Sequence, residues 1–103
     1  MRPVVVQRRA EQDLFDAVDH YAALAPAVLG RFLAEFDRVM ASIGRSPNLG
    51  SPSFADQLDV PDLRYQPLKG FPYAAFYLSD DEQVTVIRVL HHARDIATLL
   101  DVD

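Results

Sequence analysis

The sequence predicts an α+β domain in which a helical hairpin packs on a small antiparallel sheet, in the order β-α-α-β-β-β with a short C-terminal helix. Three observations predict it. Two consecutive segments, from Arg9 to Ala25 and from Pro26 to about Ser46, repeat apolar residues at three- and four-residue spacing, the period of a helix with one buried face. Three later segments are rich in β-branched and aromatic residues and are separated by short turn-forming stretches, the pattern of a meander. A β-branched run, Val4-Val5-Val6, precedes the first helix.

In chain order, residues Pro3 to Gln7 form an opening strand, at a sheet edge because Pro3 has no N–H to give to a ladder. The first helix turns Leu14, Phe15, Val18, Tyr21 and Ala22 inward and leaves Glu11, Asp13, Asp16 and Asp19 in water. Ala25-Pro26 ends it, and Pro26 suits the first position of the next helix. That second helix carries Val28, Leu29, Phe32, Leu33, Phe36, Val39, Met40 and Ile43 on one stripe. The stretch from Ser46 to Pro61 has turn residues and no period, and is expected to be the most mobile part. Strands follow over Leu63 to Leu68, Tyr73 to Leu78 and Gln83 to His91. In the last, Val84, Val86, Arg88 and Leu90 alternate with Thr85, Ile87, Val89 and His91, so both faces are largely apolar and the strand should sit centrally. Asp95 is placed to cap a final helix bearing Ile96, Leu99 and Leu100.

With 103 residues, half of them apolar, the chain is sized for one domain, residues 1–103, with a small core. The absence of cysteine removes disulfides and thiolate metal sites, and no signal-like or spanning apolar segment is visible, so a cytoplasmic location without membrane attachment is expected. Net charge is −5: up to Pro52 six basic residues match six acidic ones, and from Ser53 four face nine. Nucleic-acid binding through phosphates draws on a basic surplus, which this balance does not offer.

The densest group of titratable residues is His91, His92, Arg94 and Asp95, at the exit of the last strand. As catalysis, a histidine would act as general base beside an arginine that steadies a phosphate, the chemistry of RNA cleavage through the 2′-hydroxyl. As structure, Asp95 caps, Arg94 pairs with a carboxylate, and His91 satisfies the strand end. A metal site there is disfavoured, because adjacent strand residues face opposite ways and no further spaced histidine completes a shell. A buried Arg88 needs a partner, for which Asp62 or a tyrosine hydroxyl is available. No phosphate loop, nucleophile elbow or paired-carboxylate motif is present, and no cofactor is expected.

Several of these residues form a known pattern. Val4-Val5-Val6, Arg9-Ala10-Glu11-Gln12-Asp13-Leu14, Tyr21, Pro47 with Gly50, Leu63-Arg64, Lys69-Gly70-Phe71-Pro72-Tyr73, Phe76-Tyr77 and the run from Val86 to Ile96 together resemble the RelE/ParE superfamily of type II toxin–antitoxin toxins. The last run and Lys69 to Tyr73 resemble its ParE branch. RelE-type toxins are ribosome-dependent mRNA endonucleases using basic residues on the second and third strands of the chain and an aromatic residue beyond the last strand. At the matching positions this chain has Tyr65, Pro67 and Ala74, and no tyrosine follows Arg94. The resemblance therefore implies a ParE-like toxin without catalytic residues, which binds and poisons DNA gyrase and is neutralised by a ParD-like antitoxin in a hetero-oligomer. It leaves two alternatives: an mRNA endonuclease, and an inactive relative that only binds its antitoxin. Candidate target contacts are Arg64, His91, His92, Arg94 and Asp95. Candidate antitoxin contacts are Leu14, Phe15 and Phe36, beside the hairpin grooves, where an extension could fold on binding.

Overall fold

A computed structural model describes residues 1–96, Ile96 by its backbone alone. Strand β1 (Val4–Val6) is followed by helices α1 (Arg8–Leu24) and α2 (Pro26–Arg45), then by β2 (Arg64–Pro67), β3 (Tyr73–Ser79), β4 (Val84–His91) and a π-helical turn over His92–Ile96. The helix expected to carry Leu99 and Leu100 lies outside the described residues. Both helices follow their periods, and Pro26 begins α2 as its ring and fixed φ favour. Ala10 and Ala17 of α1 and Phe32, Phe36, Val39 and Ile43 of α2 are buried. Phe15, assigned inward by the sequence, is 56% exposed instead, because the buried face of α1 is centred on Ala10, Leu14, Ala17 and Tyr21.

The strands run β1-β4-β3-β2 across one sheet. The last three make the expected antiparallel meander, with Tyr73 opposite His91 and Arg64 opposite Tyr77. The sheet as a whole is mixed, because β1 lies parallel to β4 with Val4 opposite Val84. No tight hairpin joins these two strands, so nothing in the connection imposes an antiparallel direction. β1 is at the edge and β4 is central, as the sequence implied.

One irregularity re-aims β4. Phe76 pairs with Arg88 and Tyr77 with Val86, which leaves Ile87 as an extra residue in a β-bulge. Strict alternation would have put Val86, Arg88 and Leu90 on one face. The bulge shifts the phase, so Val84, Val86 and Val89 join the helix-side core while Ile87 and Leu90 belong to the opposite face.

Beyond Val86 the outer edge of β4 has no strand beside it, because the chain of β1 has already turned into α1. A carboxylate closes that edge. Asp13 Oδ2 accepts the Val89 N–H at 3.0 Å and Arg88 Nε at 2.8 Å, and Oδ1 accepts the second guanidinium nitrogen at 3.1 Å. The partner of Arg88 is thus Asp13, not Asp62 or a tyrosine hydroxyl, and Asp13 is withdrawn from the wet face on which its spacing had placed it.

The connection from residue 46 to residue 63 is tied down and covers the second face of the sheet. Tyr77, fully buried, donates its hydroxyl proton to the Pro47 carbonyl at 2.8 Å and accepts the Gly50 N–H at 2.9 Å. Ser51 and Tyr65 exchange both backbone hydrogen bonds. A Cβ on Gly50 would stand 2.6 Å from the Tyr77 hydroxyl and 2.7 Å from the Tyr65 carbonyl, so only glycine fits. Phe54, Ala55, Leu58 and Val60 then pack over Leu63, Phe76 and Leu90. The result is three layers: helical hairpin, sheet and folded loop.

Two turns depend on carboxylates. Glu35 of α2 accepts the Lys69 N–H at 2.7 Å in the β2–β3 turn, where Gly70 takes a φ of 85°. Asp80 accepts the N–H groups of Glu82 and Gln83 between β3 and β4. Both acids are held below their ordinary pKa, Glu35 first by its hydrogen bonds to Arg38 and Asp80 by the Gln83 and Glu82 N–H groups.

Three outcomes are expected. Tyr77→Phe strands a buried N–H and a carbonyl and costs about 1–3 kcal/mol in denaturant unfolding, with the helices retained by circular dichroism. Asp13→Ala leaves Arg88 partly buried without its partner and costs about 2–3 kcal/mol, whereas the double change Asp13→Ala with Arg88→Met recovers part of that loss. As for pH, a carboxylate whose folded pKa is depressed contributes stability that is present above its unfolded value and lost as pH falls through the folded one. Unfolding free energy should therefore decline below about pH 4, and less steeply in Glu35→Gln.

Candidate functional site

The bulge and the two carboxylates at its edge determine where β4 delivers its last residues. Tyr73 begins β3 directly opposite His91, and their rings meet edge to face at 5.3 Å. Next to them the chain leaves the sheet in a single wide turn, His92–Ile96, a π-helical form that commonly marks functional positions. The turn is held at its start by the His92 N–H, which donates to the Pro72 carbonyl at 2.8 Å.

Inside the turn Asp95, Arg94 and His91 are tied together. Asp95 Oδ2 accepts the His91 N–H at 2.9 Å, and Oδ1 accepts Arg94 Nε at 3.0 Å. The Arg94 N–H donates to His91 Nδ1 at 3.2 Å, so that nitrogen is the acceptor of the imidazole. Burial pushes the Asp95 carboxyl up, but Arg94 and the His91 N–H outweigh it and its pKa lies below the ordinary value. The Arg94 guanidinium is held above its usual range chiefly by Asp95. Asp95 thus serves as a clasp reaching back to the strand end, and the helix it was expected to cap lies outside the described residues.

The structure brings together four of the five predicted target contacts. His91, His92, Arg94 and Asp95 share the strand exit, with His92 and Arg94 exposed and His91 and Asp95 half-buried. Arg64 is not among them. It pairs along the sheet with Tyr77, four residues from Tyr73, and its guanidinium binds the Gly50 carbonyl at 2.7 Å and the Asn48 carbonyl at 3.3 Å. Of the hairpin residues, Phe15 is exposed, Leu14 is half-buried against the core, and Phe36 is buried at 7% exposure. No group of three histidine, aspartate or glutamate residues able to hold a metal occurs among the described residues.

Tyr73 was not singled out by sequence reading as a member of the exit group, because it comes opposite His91 only through the register that the bulge at Ile87 sets. Two of the three positions that would be basic in the nuclease branch are now visible as packing. Tyr65 stacks on Phe76 at 5.5 Å and meets Phe54 at 5.0 Å, and Ala74 is fully buried in the same cluster. Pro67, at the end of β2, is exposed.

Residues 4–96 match the family model described as ParE toxin of type II toxin-antitoxin system, parDE. Toxin ParE2 from two strains of Mycobacterium tuberculosis is 32% identical over 91 residues, covering 87% of this chain and 81% of that protein. A solved chain described as belonging to the chromosomal ParDE TA system from P. aeruginosa has a TM-score of 0.73 at 22% identity, and the match covers 88% of this chain and 96% of that one. That last likeness is one of fold. Sequence family and architecture agree, and the chain belongs to the ParE family of toxins of type II toxin–antitoxin systems.

Proposed function

We propose that this chain acts by binding DNA gyrase, without cutting RNA, and that a ParD-like antitoxin neutralises it in the cytoplasm. The observation that carries the reading is the packing of Tyr65 and Ala74 under the folded loop, in a cluster with Phe54 and Phe76. A ribonuclease built on this sheet would need cations on that surface to stabilise phosphate charge in the transition state, and aromatic and aliphatic packing occupies it. The strand exit supports the same view. The Nδ1 nitrogen of His91 already accepts a backbone N–H and Asp95 is spent on His91 and Arg94, so the cluster works as a rigid contact surface and not as an acid–base pair.

On this reading His92 and Arg94, the exposed members of the exit, meet the target. The antitoxin covers the hairpin side near Phe15 and Leu14. Phe36 supports that side from the core, where it is not available for contact.

The test has two arms. Purified chain should inhibit DNA supercoiling by gyrase and leave mRNA on ribosomes intact; ribosome-dependent cleavage without gyrase inhibition would establish the nuclease alternative in its place. Arg94→Ala should weaken gyrase inhibition and growth arrest roughly tenfold or more, the size of a lost contact worth about 1.4 kcal/mol, while co-purification with the neighbouring gene's product persists. Full toxicity in that variant would remove the strand exit from the mechanism. A chain that arrests no growth on induction yet still binds that product would be the inactive relative.

A further inference from the structure

Where the folded loop meets the outer part of β4, a cavity of about 210 Å³ is walled by Leu58 and Val60 of the loop, Leu63, Phe76 of β3, and Ile87 and Leu90 of β4. Leu63, Phe76 and Leu90 are buried, whereas Leu58, Val60 and Ile87 are half-buried, so the cavity opens to water on their side. Its walls are held in place. Phe76 is stacked on Tyr65 at 5.5 Å and tilted against Phe54 at 5.8 Å. The loop above is tied by its own backbone, with the Leu58 N–H on the Phe54 carbonyl and the Val60 N–H on the Ala55 carbonyl, both at 3.0 Å, and Asp59 in the left-handed region at a φ of 54°. Side chains fixed in this way do not collapse into the space between them. An apolar cavity of about 150 Å³ stays dry and admits benzene, so this one has room for a ring with a small substituent.

One polar side chain also lines the cavity, that of Arg88. Asp13 takes its Nε at 2.8 Å and its Nη2 at 3.1 Å, and Nη1 makes no hydrogen bond among the described residues. The guanidinium thus has donors to spare at the edge of an apolar space. Its charge is already balanced by Asp13, on a chain of net charge −5, so a second carboxylate would meet repulsion that an uncharged acceptor does not. We propose that this cavity binds a small uncharged carbonyl compound carrying an aromatic ring, with the ring against Phe76, Leu63 and Leu90 and the carbonyl oxygen accepting from Arg88 Nη1. The site stands apart from the strand exit, and its occupation depends on neither the toxin's target nor its antitoxin.

The full chain is titrated with acetophenone, ethylbenzene and benzoate, three single-ring probes that differ in the acceptor, with backbone amide and methyl shifts as the readout. Acetophenone should move the signals of Leu58, Val60, Ile87, Arg88 and Leu90, and bind roughly tenfold more tightly than ethylbenzene. Benzoate should bind less tightly than the ketone. Val60→Phe, which fills the cavity from the loop side, should abolish binding with an unchanged circular dichroism spectrum. In the double variant Asp13→Ala, Arg88→Met the ketone should lose its advantage over ethylbenzene while both still bind. No binding to the unmodified chain, equal affinity for ketone and hydrocarbon, a preference for benzoate, or shifts confined to another surface overturns the proposal, and none of these comparisons needs a variant to fold. Undiminished binding to a folded Val60→Phe chain overturns it as well. A competing occupant is the chain itself, since Leu99 and Leu100 follow Ile96 in sequence. Acetophenone binding that appears only in the variant Leu99→Ser, Leu100→Ser would mean that those side chains hold the cavity, and the proposal would fail; equal binding by that variant and the unmodified chain supports it.

Discussion

The Asp13 carboxylate is the point on which the two halves of the fold are aligned. Strand β1 covers only the first part of β4, and the chain then leaves the sheet as α1. The first turns of that helix bring one acid back to the edge just abandoned, where it takes the Val89 N–H and the Arg88 guanidinium across 75 residues of sequence. Ion pairs of this kind add little net stability over apolar packing, yet losing one partner is costly, so they favour one arrangement over its neighbours. Eight residues further along α1, about 12 Å, Tyr21 packs among Phe32, Phe71 and Tyr73. Two points so separated hold the helix axis against the sheet, and the hairpin with it.

The bulge at Ile87 and the carboxylate clasps are complementary. An extra residue in β4 sends Val89 to the helix side and Leu90 to the loop side, and so sets the direction in which the chain leaves the sheet. The same strand would otherwise present open N–H groups at Val89 and His91, an invitation to pair with another chain. Asp13 closes the first and Asp95 the second. The strand exit of this ParE-family chain is therefore a structurally satisfied surface, with its exposed groups, His92 and Arg94, held on a stiff base.

Charge is organised on a finer scale than composition conveys. The cations of Arg88, Arg94 and Arg38 each carry an aspartate or glutamate partner, whereas Arg31 and Lys69 stand at the rim of one groove without a salt bridge among the described residues. An acidic protein can thus keep one positive, partly apolar recess. Neither the net charge of −5 nor the even balance of the first 52 residues gives any sign of it, because the recess joins a helix and a turn more than thirty residues apart.

What the sequence determined by itself was everything governed by local period and turn chemistry: the two helices, the proline between them, the meander, the edge place of β1 and the clustering of His91 to Asp95. Motifs in the terminal strand and the Lys69 to Tyr73 turn were also sufficient to suggest the family. Tertiary structure alone decided the rest. Asp13 looked wet because a helical period records which face is apolar and not which acid lies beside an open strand edge. The alternation in β4 failed at Ile87 because a bulge is set by the pairing of two strands. Residues 46 to 63 looked like a loose connection because their apolar side chains have no period, yet Tyr77, Gly50 and the second face of the sheet give them a place. In each case the deciding partner is distant along the chain, and only folding brings the two groups within hydrogen-bonding or packing distance.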